Sequence, residues 1–128
     1  ERLVAGRERI YLDRFWNEFA GTPSKIDEQT RAHYAELYAR PGAMRAAFAQ
    51  FNAIAAKDVA ANRITGQTKL QMPVLAIGGE KSFGAMMATV MQNAASQVQG
   101  EVVPGAGHWL MEESPQATVA LISSFIER

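Results

Sequence analysis

The chain contains no cysteine. Disulfides, thiolate nucleophiles and cysteine-ligated metals are therefore excluded, while reducing and oxidising compartments both stay open. It also lacks net charge, because 13 Lys and Arg side chains balance 13 Asp and Glu. Neither nucleic acid nor an anionic membrane surface is expected as a partner. No apolar run is long enough to span a bilayer. No signal peptide is visible. The chain opens on Glu1 rather than Met, so the expectation is that the native amino terminus lies upstream, in a protein that is either cytoplasmic or secreted. A further absence concerns chemistry. Neither Gly-x-Ser-x-Gly nor Gly-x-Asp-x-Gly occurs, so the tight strand-to-helix turn that presents a nucleophile is missing.

What is present suits a globular α/β chain. Its 128 residues are 48% hydrophobic, enough for one domain with a modest core. Leu3, Val4, Ile10, Phe15, Trp16 and Phe19 recur mostly at helical spacing and predict a helix over residues 1–20. Gly21-Thr22-Pro23-Ser24 ends it, and Asp27 is the predicted N-cap of a second helix through Ala32, Leu37 and Tyr38. Pro41 fits the first turn of a third helix carrying Met44, Ala47, Phe48, Phe51, Ile54 and Ala55.

The pattern changes after Thr65-Gly66. Residues 72–77, bounded by Gly78-Gly79, read as a strand buried on both faces. Residues 84–95 read as a helix and Glu101–Val103 as a second short strand. Ser114-Pro115 predicts a last helix, with Ser as N-cap and Pro in the first turn. Two parallel strands make no stable layer. The expectation is that more sheet exists, upstream in a longer chain or in a self-associated copy.

One segment carries the chemistry. Val102-Val103-Pro104-Gly105-Ala106-Gly107-His108-Trp109-Leu110-Met111-Glu112-Glu113-Ser114-Pro115 is an apolar strand, a Gly-rich turn, a histidine and an acidic helix start. That order places His108 at the carboxyl end of the sheet, where open α/β sheets bind and react. Imidazole is the residue type suited to general-base work near neutrality. His33, within a charged helix, reads as a surface residue.

The blocks Glu1-Arg2-Leu3-Val4-Ala5-Gly6-Arg7-Glu8-Arg9, Tyr38-Ala39-Arg40-Pro41, Leu70-Gln71-Met72-Pro73 and Val103–Glu113 together resemble the carboxyl-terminal half of an epoxide hydrolase-like α/β-hydrolase. The resemblance is nearest to the secreted bacterial epoxide hydrolases that inhibit a chloride channel. It implies a helical cap over residues 1–65 and the last two strands and helices of the core over 66–128. It also implies an aspartate nucleophile upstream of Glu1, an ester intermediate hydrolysed by water that His108 activates, a small apolar electrophilic substrate, and no cofactor or metal.

Two departures from the family pattern bear on the site. Many members carry an Asp where Ser82 stands, so the acid partner of His108 is either upstream of Glu1 or Glu80. Phe51 falls where the resembled branch has a Tyr, and phenylalanine has no donor for a leaving oxygen. Tyr34, Tyr38 or Trp16 would have to substitute. Trp16, Phe48, Phe51, Trp109 and Met111 are the expected pocket residues, with core packing the alternative for each. Glu112 and Glu113 are explained by the start of the following helix. The alternative functions are haloalkane or haloacetate dehalogenation, ester hydrolysis on the same scaffold, or a non-catalytic binding or assembly module.

Overall fold

The computed structural model describes residues 1–127. The chain forms two compact units, Glu1–Phe15 with Asp27–Gln67, and Trp16–Ile26 with Thr68–Arg128.

The first unit is helical. It holds the first two turns of α1 (Glu8–Phe19), then α2 (Glu28–Ala39), α3 (Ala43–Ala53) and α4 (Val59–Thr65), with a wide π-type turn at Ile54–Asp58 joining the last two. The predicted helix over residues 1–20 begins only at Glu8. The chain before it winds through turns, and the Glu8 carboxylate accepts the N–H of Gly6 at 3.0 Å. Asp27 is the N-cap of α2 as expected, its side chain accepting from the Thr30 N–H at 2.7 Å. Pro41 is not in the first turn of α3. It lies with Gly42 in the turn before it, and α3 starts at Ala43.

Charge and aromatic packing tie these helices together. Arg9 makes a two-pronged pair with Glu28, at 2.5 and 2.7 Å, and reaches Asp13 at 2.9 Å. Asp13 accepts in turn from Arg31 at 2.8 Å. Tyr11 meets Phe15 and Phe48 edge-on, with centroids 5.1 and 5.6 Å apart, the arrangement ring quadrupoles favour. Arg9 holds the Glu28 carboxyl below its ordinary range, and the Thr30 N–H does the same for Asp27.

The second unit contains β1 (Leu70–Gly79), α5 (Met86–Met91), β2 (Ala95–Val103), α6 (Leu110–Glu113) and α7 (Pro115–Ile126). The strands pair in parallel, from Leu70 opposite Ala95 to Gly79 opposite Val103. Both α5 and α7 contact both strands. Register is irregular between Leu70 and Pro73, as fits a proline that cannot donate to the ladder. Side chains satisfy the backbone there: Ser96 Oγ donates to the Leu70 carbonyl and Gln97 Nε2 to that of Gln71, each at 3.0 Å.

Four expectations need correction. The first strand runs over 70–79, not 72–77, because Gly78 and Gly79 continue the ladder rather than end it. The second begins at Ala95 rather than Glu101. Its polar start, Ser96-Gln97, hides the pairing that extends it. The helix between them shortens from 84–95 to Met86–Met91 for the same reason. Pro115 does open α7, but the Ser114 hydroxyl caps nothing. The Ser114 carbonyl instead accepts from the Thr118 hydroxyl at 2.8 Å.

Two expected outcomes follow from these units. Asp27 and Glu28 have lowered carboxyl pKa values when folded, so the unfolded chain binds more protons in acid. Their stabilisation is full above the ordinary carboxylate range and fades as pH falls through the folded values. An Asp27→Asn/Glu28→Gln double variant should therefore melt lower than the parent at pH 7, with the gap closing towards pH 2 in thermal circular dichroism. A gap of constant size would refute the assignment. Among the described residues of the second unit each strand has a single neighbour, leaving an open edge that invites pairing, and Leu70 and Met72 are exposed. The isolated chain should sediment above its 14.0 kDa monomer mass. A monodisperse monomer at high micromolar concentration would contradict this.

Candidate active site

In a parallel sheet the ends of β1 and β2 share one edge, and His108 follows that edge. After Val103 the chain turns through Pro104 and Gly105, buries Ala106 and Gly107, and surfaces at His108. Gly105 takes a left-handed φ of 68°, which suits glycine. The loop after β1 is laced to this turn. Glu80 N–H donates to the Val103 carbonyl at 3.1 Å and Lys81 N–H to that of Ala106 at 2.9 Å. Lys81 Nζ also reaches the Gly21 carbonyl at 3.0 Å.

Close backbone approach sets the remaining geometry. A Cβ on Gly107 would run into the Gly21 nitrogen and the Phe19 carbonyl. One on Gly79 would run into the Gly107 and Ala106 carbonyls, and one on Gly21 into Gly105 and Gly107. Three glycines far apart in sequence are thus required at one point of contact. The N–H of His108 donates to the Phe19 carbonyl at 2.8 Å. The imidazole lies edge-on to Trp109, centroids 4.9 Å apart, and tilted to Phe19 at 6.1 Å.

Glu113 completes the arrangement. Its side chain is buried, at 3% exposure. Oε1 accepts from the N–H groups of Gly107 at 3.0 Å and Trp109 at 3.2 Å, and Oε2 accepts from Thr22 at 3.0 Å. The helix-start explanation is thus incomplete for Glu113, whose carboxylate points back into the histidine loop. The signal was slight, an acid five residues after a histidine in a Gly-rich turn.

The other candidates fall in both units. Glu80 makes no hydrogen bond to His108. Its carboxylate accepts from Gly105 N–H at 2.7 Å and secures the turn. Ser82 is exposed, and its N–H donates to the Gly79 carbonyl at 2.9 Å. Trp109 is half-buried beside His108, whereas Met111 is 57% exposed on α6. Trp16 is buried at 5% exposure within the second unit. Phe48 packs on Tyr11 in the first unit, where Phe51 is 63% exposed. His33 is exposed, with its ring tilted against Tyr34 at 6.0 Å. Phe19 was not among the expected pocket residues. Only its spatial contact with the imidazole singles it out. Among the described residues there is no group of three or more metal-ligating side chains, and no helix is long and apolar enough to cross a membrane.

Known proteins share this fold. The chain is 29% identical over 119 residues to the soluble epoxide hydrolase of Corynebacterium sp. strain C12, covering 91% of itself and 41% of that relative. Among solved structures, the epoxide hydrolase CorEH matches with a TM-score of 0.88 at 27% identity, over 98% of this chain and 44% of its own. A protein from Nostoc sp. PCC 7120 assigned as an α/β-hydrolase gives the same TM-score and the same coverage at 25% identity. The fold is a partial α/β-hydrolase fold. No family model matches the chain. It spans less than half the length of these relatives, and it is similar to part of an epoxide hydrolase-like α/β-hydrolase.

The loop geometry separates two kinds of glycine. Gly105→Ala meets open space and should cost only the left-handed backbone, about 1–2 kcal/mol. Gly107→Ala forces backbone apart and should cost more, roughly 3 kcal/mol. Urea denaturation of the two variants should give that order, and the reverse order would overturn the close-packing account.

Proposed function

We propose that residues 1–65 are the helical cap and 66–128 the end of the core of an epoxide hydrolase-type α/β-hydrolase, with His108 as its general base. The observation that carries this reading is the exposed imidazole at the carboxyl edge of β1 and β2, its backbone held from both sides. The soluble epoxide hydrolase relative lends the reaction class. The sequence blocks quoted above carry the finer placement beside the secreted, channel-inhibiting bacterial enzymes.

The chemistry divides into two steps. An aspartate outside these 128 residues attacks an epoxide carbon. The C–O bond to the ring oxygen breaks, an ester forms, and a donor protonates the departing alkoxide. His108 then takes a proton from water as the water oxygen adds to the ester carbonyl. The tetrahedral intermediate collapses, the remaining water proton passes to the departing alkoxide to give the diol, the carboxylate is regenerated, and the proton on His108 restores the donor spent in the first step. Glu80 is occupied by Gly105, which favours an acid partner outside this chain. With phenylalanine at position 51, Tyr34 and Tyr38 are the remaining phenol donors of α2. The nucleophile decides between neighbouring chemistries: a serine would make the parent protein an ester hydrolase. Dehalogenation uses the same aspartate chemistry with a halide leaving group.

The isolated chain should show no epoxide turnover. In the intact polypeptide that carries this segment, His108→Ala should lower turnover by about 10²–10⁴-fold. Mass spectrometry should then detect the trapped ester, because its formation does not need the base. Turnover by the 128-residue chain alone, or full activity without His108, would defeat the proposal.

A further inference from the structure

Three consecutive N–H groups are captured around the imidazole. Glu113 Oε1 takes those of Gly107 and Trp109, and the Phe19 carbonyl takes the one between them, from His108. The other oxygen of the same carboxylate takes the N–H of Thr22, three residues beyond Phe19. The carboxylate therefore joins the two segments that meet at His108. It is buried at 3% exposure, and no Lys or Arg pairs with it among the described residues. Its charge is compensated by backbone donors, a situation tolerated only when every lone pair in use is well placed.

We propose that Glu113 is the positioning residue of His108, setting where the imidazole stands by fixing the backbone on both sides of it. This rests on the reading of His108 as the base, while the geometry it concerns exists in the chain by itself. Glu112, its neighbour on the four-residue helix α6, is more exposed and does not share these bonds. Glutamine cannot replace Glu113 fully. It offers one acceptor oxygen where two are used, and its amide would face the Thr22 N–H as donor against donor. The two donors near Oε1 favour keeping the glutamine oxygen there. The Thr22 link is therefore the one lost.

Amide hydrogen exchange on the intact polypeptide that carries this segment, read residue by residue, tests this. In the parent, Thr22, Gly107, His108 and Trp109 should be protected although His108 is a surface residue. Glu113→Gln should speed exchange at Thr22 roughly tenfold or more, the factor for one charge-assisted bond, with smaller changes at Gly107 and Trp109. Glu113→Ala should free all four. In both variants the His108 ring signals should shift or split, while amides of the β1–β2 ladder change less. Unprotected loop amides in the parent would overturn the proposal without any variant. So would equal acceleration of loop and ladder amides with unmoved His108 ring signals, since that pattern marks a general loss of stability. None of these readouts involves epoxide turnover. A loop that behaves as stated in an intact polypeptide without epoxide hydrolysis would fault the hydrolase reading alone.

Discussion

A single buried carboxylate organises the carboxyl edge of this sheet. Glu113 is out of water and has no cationic partner among the described residues, and its carboxylate is held by three backbone N–H groups. The dependence is mutual. Gly107 is buried, and a buried N–H left without an acceptor costs about 1–3 kcal/mol. A loop that leaves a strand, turns sharply and returns to a helix has few ladder partners for its donors. Here a side chain takes the place of the ladder. The loop therefore has one preferred course, and His108 inherits it.

That carboxylate works only because backbones come unusually close. Gly21, Gly79 and Gly107 meet where any Cβ would overlap main-chain atoms. Glycine at these positions is a packing requirement imposed by three segments at once: the turn after α1, the end of β1 and the loop after β2. Glu80 and Lys81 add further ties between the same segments, through the N–H of Gly105 and the carbonyls of Ala106 and Gly21. The candidate base thus stands on a scaffold of main-chain contacts, with its ring edge-on to Trp109 and tilted to Phe19.

The helical unit is held by different means. Arg9 bridges α1 and α2 through a planar fork that suits a carboxylate, and Asp13 shares its charge between Arg9 and Arg31. These bonds lie largely at the surface, where salt screens them. They align helices rather than supply a large share of stability. Apolar contacts such as Tyr11 on Phe15 and Phe48 do more of that.

The order of elements was legible from residue patterns alone. Helical spacing in residues 1–20, 27–38 and 44–55, the Asp27 cap, the apolar run ending at Ile77 and the Pro115 helix start are local signals, and each gave an element of the right type, whereas α4 (Val59–Thr65) was not read. The Gly-x-Gly-His segment also located the candidate base, because a strand followed by a tight turn leaves few places for the next side chain. Boundaries were less legible. Ala95 and Gln97 join a strand through pairing with Leu70 and Pro73, and the Ser96 and Gln97 side chains add bonds to the Leu70 and Gln71 carbonyls across the sheet. The role of Glu113 was invisible for a related reason. Its partners lie at Thr22, Gly107 and Trp109, and a contact across 91 residues leaves no periodicity to read. Local chemistry determined what the elements are and which residue bears the imidazole. Burial and close backbone approach, which exist only once distant segments meet, decided what holds that imidazole in place.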